Sequence, residues 1–211
     1  RLMGHMPTTG ISPLDRKDAA AAGEVLGRAF HDTAQWAAVV PDAGVRPRKL
    51  AQMFTGAVKL ILAAGGIAER TDGFEAIALW LPPGRHLGLW PMVMSGFAPV
   101  RFAVTPPFPN RRRLRGMHRH FDAAHKHARP DPPWYLMVWG VDPDHQRAGH
   151  GSALVGRGVE RAEADGLPIY LETETDPNVA FYGTLGFEVL GEVVVEAYGL
   201  AFSLMIRRPR G

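Results

Sequence analysis

Residues 134–141 read WYLMVWGV and residues 142–152 read DPDHQRAGHGS, and the change from an apolar run to a polar, glycine-bearing loop decides the fold. Trp134 to Val141 is nearly all apolar, the composition of a strand buried on both faces. From Gly149 to Asp165 the pattern is helical, with Leu154, Val155, Val159 and Ala162 recurring on one face. A buried strand that passes through a glycine loop into a helix is the outline of an anion site. Glycine lets the backbone approach a ligand closely, and the first N–H groups of a helix are unpaired and carry a partial positive charge, which suits a pyrophosphate. Taken alone, a Gly-x-Gly pair is weak evidence, because such pairs occur by chance at helix starts.

Working outward, Pro168 to Glu172 reads as another apolar strand, Asn178 to Leu185 as a short helix, and Phe187 to Val195 with Leu200 to Ile206 as a closing hairpin. Upstream, Thr8 to Ser12 reads as a short strand. Asp15 is a plausible N-cap for an Ala-rich helix that runs through Phe30, with Leu26, Ala29 and Phe30 on its buried face. A second helix is expected from Arg48 to Ala64, where Leu50, Met53, Phe54, Val58, Leu60 and Ile61 recur at helical spacing and Gly65-Gly66 ends the run. A hairpin follows: Gly66 to Glu69, a turn at Asp72-Gly73, and Glu75 to Leu81, stopped by Pro82-Pro83. Two loosely bounded helices are expected within residues 84–133. Gly4-His5-Met6 resembles a cloning scar, so residues 1–6 are set aside and 7–211 are read as a single domain.

A length of 211 residues suits one α/β domain, and 46% hydrophobic with 21% charged residues is an ordinary globular balance. The absence of cysteine excludes disulfides, thiolate metal sites and a cysteine nucleophile. It is compatible with a reducing compartment, and cytoplasm is the expected location. The apolar stretches Val58 to Ala64 and Leu87 to Val100 fall short of the ~20 residues that a spanning helix needs, so no membrane partner is expected. Arg111, Arg112, Arg113 and Arg115 form a basic run without interleaved aromatics. It reads as a solvated helix start, and no nucleic-acid partner is expected. His118, His120, His125 and His127 lack the Asp, Glu or Cys partners of a ligand pattern, so no metal is expected.

Gln146-x-x-Gly149-x-Gly151 resembles the acetyl-CoA pyrophosphate motif of the GNAT acetyltransferases. Leu171-Glu172-Thr173, Asn178, Phe181-Tyr182 and Gly186-Phe187 resemble, in order, the second half of the same site. Within that superfamily the likeness is to the puromycin N-acetyltransferase branch, and it covers roughly residues 134–190. Two departures stand out: Arg147-Ala148 where that branch prefers a glycine and a lysine, and His150 where an aliphatic residue is usual. Arg147 either adds a phosphate contact or is a solvent-facing arginine. His150 reads as a packing or surface residue rather than a catalyst.

The resemblance implies an α/β (α+β) GNAT fold: a single mixed, mostly antiparallel sheet with splayed central parallel strands, flanked by helices. It implies acetyl-CoA as co-substrate, with no metal, and direct transfer of the acetyl group to a primary amine of a small molecule in a ternary complex. The cofactor contacts it implies are Trp139, Val141, Gln146, Arg147, Ala148, Gly149, His150, Gly151, Ser152, Asn178 and Tyr182, with the backbone of the strand ending at Val141 pairing with the pantetheine arm. Tyr182 is the implied proton donor to the leaving thiolate. Glu172, at the end of the splayed strand, is the candidate base, and Glu174 has the same facing two residues on. Phe30, His31, Trp36, Trp80 and the 84–133 insertion are expected to shape the acceptor pocket. The alternatives are a non-catalytic acyl-CoA-binding sensor of the same fold and a protein or peptide N-acyltransferase. Monomer and homodimer both remain open.

Overall fold

The computed structural model describes residues 10–87, 132–196 and 199–210. Seven strands form one sheet in the order β1-β2-β3-β4-β5-β7-β6: β1 Ile11–Pro13, β2 Ile67–Thr71, β3 Ala76–Leu81, β4 Trp134–Val141, β5 Ile169–Thr173, β6 Glu188–Val195 and β7 Leu200–Arg207. Every pairing is antiparallel except that of β4 with β5, which is parallel. Helices α1 (Ala19–Ala29), α2 (Ala34–Val39), α3 (Arg46–Ala63), α4 (His150–Asp165) and α5 (Asp176–Thr184) accompany the sheet. This is the mixed, mostly antiparallel arrangement that the GNAT resemblance implies. The two helices expected between 84 and 133 fall almost wholly outside the described residues. One element was not anticipated: α2, a six-residue helix between the two longer N-terminal ones.

The sheet separates two apolar layers. β3 is buried along its whole length, and its alternation sends Ile77, Leu79 and Leu81 towards Leu26, Leu50, Phe54, Val58 and Ile61 of α1 and α3. Ala76, Ala78 and Trp80 point the other way, into the layer built with Leu154, Val155 and Ala162 of α4. Glu69 of β2, a buried carboxylate, is paired with two cations of α4: Arg157 at 3.2 Å, and Arg161, whose Nη1 donates to it at 2.9 Å. Burying the carboxylate between two guanidinium groups meets the requirement that an interior charge be compensated.

β4 carries an irregularity that its sequence hides. Leu79 is opposite Val138 and Trp80 is opposite Leu136, so Met137 is one residue too many. Before this bulge Trp134 and Leu136 face the α4 layer and Tyr135 faces α1 and α3. After it the phase is reversed: Met137 and Val138 lie consecutively against the α1 and α3 layer, and Trp139 and Val141 return to the α4 side.

Candidate functional site

β4 and β5 are joined only at Trp134↔Ile169 and Tyr135↔Tyr170, although β4 continues to Val141 and β5 to Thr173. Beyond those two pairs the strands part and open a cleft of about 800 Å³. Trp139, Val141, Gln146, Arg147, Gly149, His150, Gly151, Ser152, Glu172, Asn178 and Tyr182 all line it. Of the residues the sequence brought forward as cofactor contacts or catalysts, only Ala148 does not.

The loop between β4 and α4 is tied down at its start. The Asp142 N–H donates to the Glu75 carbonyl at 2.8 Å, and the Asp142 carboxylate accepts from Arg28 Nε at 2.9 Å, Arg28 Nη2 at 2.6 Å and the Asp144 N–H at 3.2 Å. Burial alone would raise the Asp142 pKa, but the Arg28 and Asp144 hydrogen bonds and the Arg28 and His145 charges outweigh it and hold the carboxyl below the ordinary Asp value. Past a 3-10 turn, Pro143–His145, the chain turns at Arg147 (φ +65°) and Gly149 (φ +88°), both left-handed, and α4 starts at His150. Gly149 serves as N-cap without a side chain over the helix end. Among the described residues, no hydrogen bond consumes the N–H groups of residues 147–152, and no acidic side chain sits in the first turn of α4. A set of free N–H groups at the positive end of a helix dipole fits a pyrophosphate. Gly151 is needed for another reason: a Cβ there would lie 2.3 Å from Cζ2 of Trp139 and 3.1 Å from Cγ2 of Val141, so the helix start rests directly on β4. His150 has its ring edge-on to His145, centroids 6.4 Å apart, and its Nδ1 has no hydrogen-bond partner among the described residues.

Across the cleft, α5 presents Asn178, Phe181 and Tyr182. The Tyr182 ring packs edge-on against Trp139, Phe181 and Phe187, with centroids 5.9, 5.4 and 5.4 Å apart. Burial pushes its hydroxyl pKa upward, so the group stays protonated well past neutral pH. Glu172 accepts a hydrogen bond from the Tyr135 hydroxyl at 2.9 Å. Glu174 accepts one from the backbone N–H of Gln35 at 2.9 Å, and its pKa is raised, chiefly by burial and only partly offset by that hydrogen bond.

The remaining wall comes from the N-terminal helices. Phe30 stacks on Phe54 with centroids 5.1 Å apart, and Trp36 meets Phe54 edge-on at 5.6 Å; all three line the cleft. Trp36 and Gln35 belong to α2, the element missed in the sequence, and the Gln35 N–H contact with Glu174 spans 139 residues of chain, which no local pattern signals. Arg46 fixes this wall from behind: its Nε donates to the Val40 carbonyl at 2.8 Å, Nη1 to the His31 carbonyl at 3.0 Å and Nη2 to the Pro41 carbonyl at 3.0 Å. Two expectations need correcting. Trp80 is fully buried in the α4 layer and does not reach the cleft, because its indole lies directly on Gly158 of α4, where a Cβ would come 2.1 Å from its Cζ2. His31 pairs with Asp32 at 2.6 Å and does not line the cleft. His118, His120, His125, His127 and the Arg111 to Arg115 run lie outside the described residues. Among those described, no group of three or more His, Asp or Glu is placed to hold a metal, and no helix is long and apolar enough to cross a membrane.

Comparison with known proteins agrees with this geometry. Residues 115–187 match the acetyltransferase (GNAT) family model. An uncharacterized N-acetyltransferase of Schizosaccharomyces pombe is 25% identical over 173 residues, 76% of this chain; the chain spans 66% of that protein's length. A Corynebacterium glutamicum structure, described as histone acetyltransferase HPA2 and related acetyltransferase, superposes with a TM-score of 0.65 at 23% identity, covering 96% of this chain and 97% of that one. A Salmonella typhimurium protein solved with its cofactor acetyl-CoA superposes with a TM-score of 0.51 at 18% identity, covering 96% and 94%. The seven-stranded mixed sheet is thus a GNAT-like fold.

Proposed function

We propose that this chain, which has a GNAT-like fold and matches the GNAT family model over residues 115–187, is an acetyl-CoA-dependent N-acetyltransferase that acts on a primary amine of a small molecule. The observation that carries the proposal is convergence: the β4–α4 loop with its free N–H groups, Tyr182 and Glu172 line one cleft, opened where β4 and β5 separate. In this reading the N–H groups of residues 147–152 bind the pyrophosphate, with Arg147 adding a cation. Residues 136–141 of β4, which lack a β5 partner, offer backbone groups to the pantetheine arm. Trp139, Val141 and Asn178 line its path.

Acetyl-CoA supplies the thioester. The neutral amine attacks the carbonyl carbon, the C–N bond forms and the C–S bond breaks. The proton lost by the amine passes to Glu172, directly or through water, and the thiolate takes a proton from the Tyr182 hydroxyl; Glu172 then gives up its proton to solvent and Tyr182 regains one from it. The chemistry needs position and proton transfer rather than an enzyme nucleophile, so a chain without cysteine is fully equipped for it. Burial keeps the Tyr182 hydroxyl protonated, so a proton is present to give. The likeness of residues 134–190 to the puromycin N-acetyltransferase branch supports a small amine over a protein one, and cytoplasm is the compartment that suits the composition.

The test is acetyl transfer from acetyl-CoA to a panel of aminonucleosides, aminoglycosides, polyamines, aryl-alkyl amines and peptide N-termini, followed by mass spectrometry. On the best alkyl amine, Glu172→Gln is expected to lose more rate at low pH than at high pH. An alkyl ammonium with pKa near ~10.4 is only about one part in 10³ neutral at pH 7, so proton removal is a real part of the barrier. Superimposable pH–rate profiles remove Glu172 from the mechanism. Tight CoA binding without transfer to any amine favours the sensor reading.

A further inference from the structure

Glu174 lines the cleft, is partly withdrawn from water, and has the Gln35 N–H on Oε1 as its partner; among the described residues no cation compensates it. The two fully buried carboxylates, Glu69 and Asp142, each have an arginine. The residue that anchors Glu174 is followed directly by Trp36, whose ring adjoins the Phe30–Phe54 stack on the same wall. A carboxylate without a cation and an aromatic surface thus line the same cleft. Both are attached to the 31–41 segment that the Arg46 guanidinium holds by three backbone carbonyls, so the surface is formed in advance of any ligand.

We propose that Glu174 with Phe30, Trp36 and Phe54 forms the acceptor subsite, which takes a primary ammonium carried on an aromatic or bulky apolar group. The ammonium supplies the charge that Glu174 lacks, and the apolar group covers the aromatic wall. Glu174 thereby docks the amine in its charged form, while Glu172, held by Tyr135, is left to take the proton. Ligands rich in charge and poor in apolar surface, such as polyamines and aminoglycosides, match this surface less well. The assignment rests on reading the cleft as an amine-acetylating site.

The experiment separates docking from chemistry by measuring amine binding to the CoA complex, in which no transfer can occur. Calorimetry with phenethylamine and its neutral counterpart 2-phenylethanol is expected to show the amine bound at least about tenfold more tightly, as for a hydrogen bond to a charged partner. Glu174→Gln removes that advantage while leaving the affinity for 2-phenylethanol and for CoA itself unchanged. As a second arm, Trp36→Ala lowers the affinity for phenethylamine by a larger factor than that for butylamine. Equal binding of amine and alcohol, an undiminished amine affinity in Glu174→Gln, or no binding of phenethylamine overturns the subsite. Glu174-dependent binding without N-acetylphenethylamine on addition of acetyl-CoA leaves the subsite standing and refutes transfer; product formation with Glu174-independent binding does the reverse.

Discussion

Trp139 and Phe181 lie face to face, with ring planes 2° from parallel and centroids 5.2 Å apart. One stands on β4 and the other on the helix that follows β5, so the stack crosses the gap where the two strands have lost their hydrogen bonds. The same indole supports the start of α4 from below, through its close approach to Gly151.

Gly151→Ala and Trp139→Ala are therefore expected to be strongly non-additive. Gly151→Ala forces apart a helix and a strand and should cost ~2 kcal/mol or more, as overpacking does. Trp139→Ala should cost ~2–4 kcal/mol through lost burial and stacking. With the indole gone the new methyl group has room, so the double variant should be more stable than the sum by at least about 1 kcal/mol in chemical denaturation.

Arg147 and Gly149 are both left-handed, but only one is glycine. Holding a side-chain-bearing residue there costs ~1–2 kcal/mol, part of which a glycine returns through its unfolded-state entropy. Arg147→Gly should then melt above Arg147→Ala, while both bind CoA more weakly than wild type by similar factors because both lose the cation. Gly149→Ala meets no atom within 4 Å, so its penalty is backbone strain alone and should be smaller than that of Gly151→Ala. Thermal melts paired with CoA calorimetry give all four comparisons.

Tyr182→Phe keeps the ring packing on Trp139, Phe181 and Phe187 and removes only the hydroxyl. CoA affinity should stay within a factor of about two, while kcat falls by around 10², the low end of general acid catalysis, because a thiolate is already a good leaving group. Burial raises the hydroxyl pKa, so an alkaline limb due to Tyr182 ionisation should be missing from the wild-type pH–rate profile up to the ordinary phenol range. Full turnover by the variant, measured where chemistry limits the rate, excludes the acid role.

Asp142 anchors the loop through Arg28, whose hydrogen bonds and charge hold its folded-state pKa below the ordinary Asp value. A carboxyl with a depressed folded pKa contributes stability that is present above its unfolded pKa and is lost as pH falls through the folded one. Asp142→Asn should therefore lose ~1–2 kcal/mol at neutral pH, a modest figure because Arg28 is half exposed and can be resolvated. The difference from wild type should shrink below about pH 4. Denaturation midpoints at pH 3 and pH 7 decide it.

The C-terminal half was legible in the sequence because each of its signals is local. An apolar run, a glycine pair and a helical stripe occur in succession from 134 to 165, and the structure places α4 at His150–Asp165 and β4 at Trp134–Val141. The bulge at Met137 left no trace, since a change of face is invisible in a strand whose two faces are both apolar. α2 was missed because six residues, AQWAAV, are too few to establish a helical period. The splay of β4 from β5 came from the GNAT resemblance, not from any pattern in the residues themselves. Glu174 was visible as a carboxylate near the site, but its attachment to the α2 wall of the cleft depends on a contact with Gln35 that only the folded chain creates.

The Arg46 clamp has an evolutionary consequence. Its three donors grip carbonyl oxygens of residues 31, 40 and 41, atoms that every amino acid possesses, and no side chain of the 31–41 segment takes part in those bonds. Residues such as Gln35 and Trp36 can consequently be exchanged without releasing the segment from its anchor. Preference for one acceptor over another can drift, or be redirected by a library confined to this short stretch, while the frame that presents it stays in place.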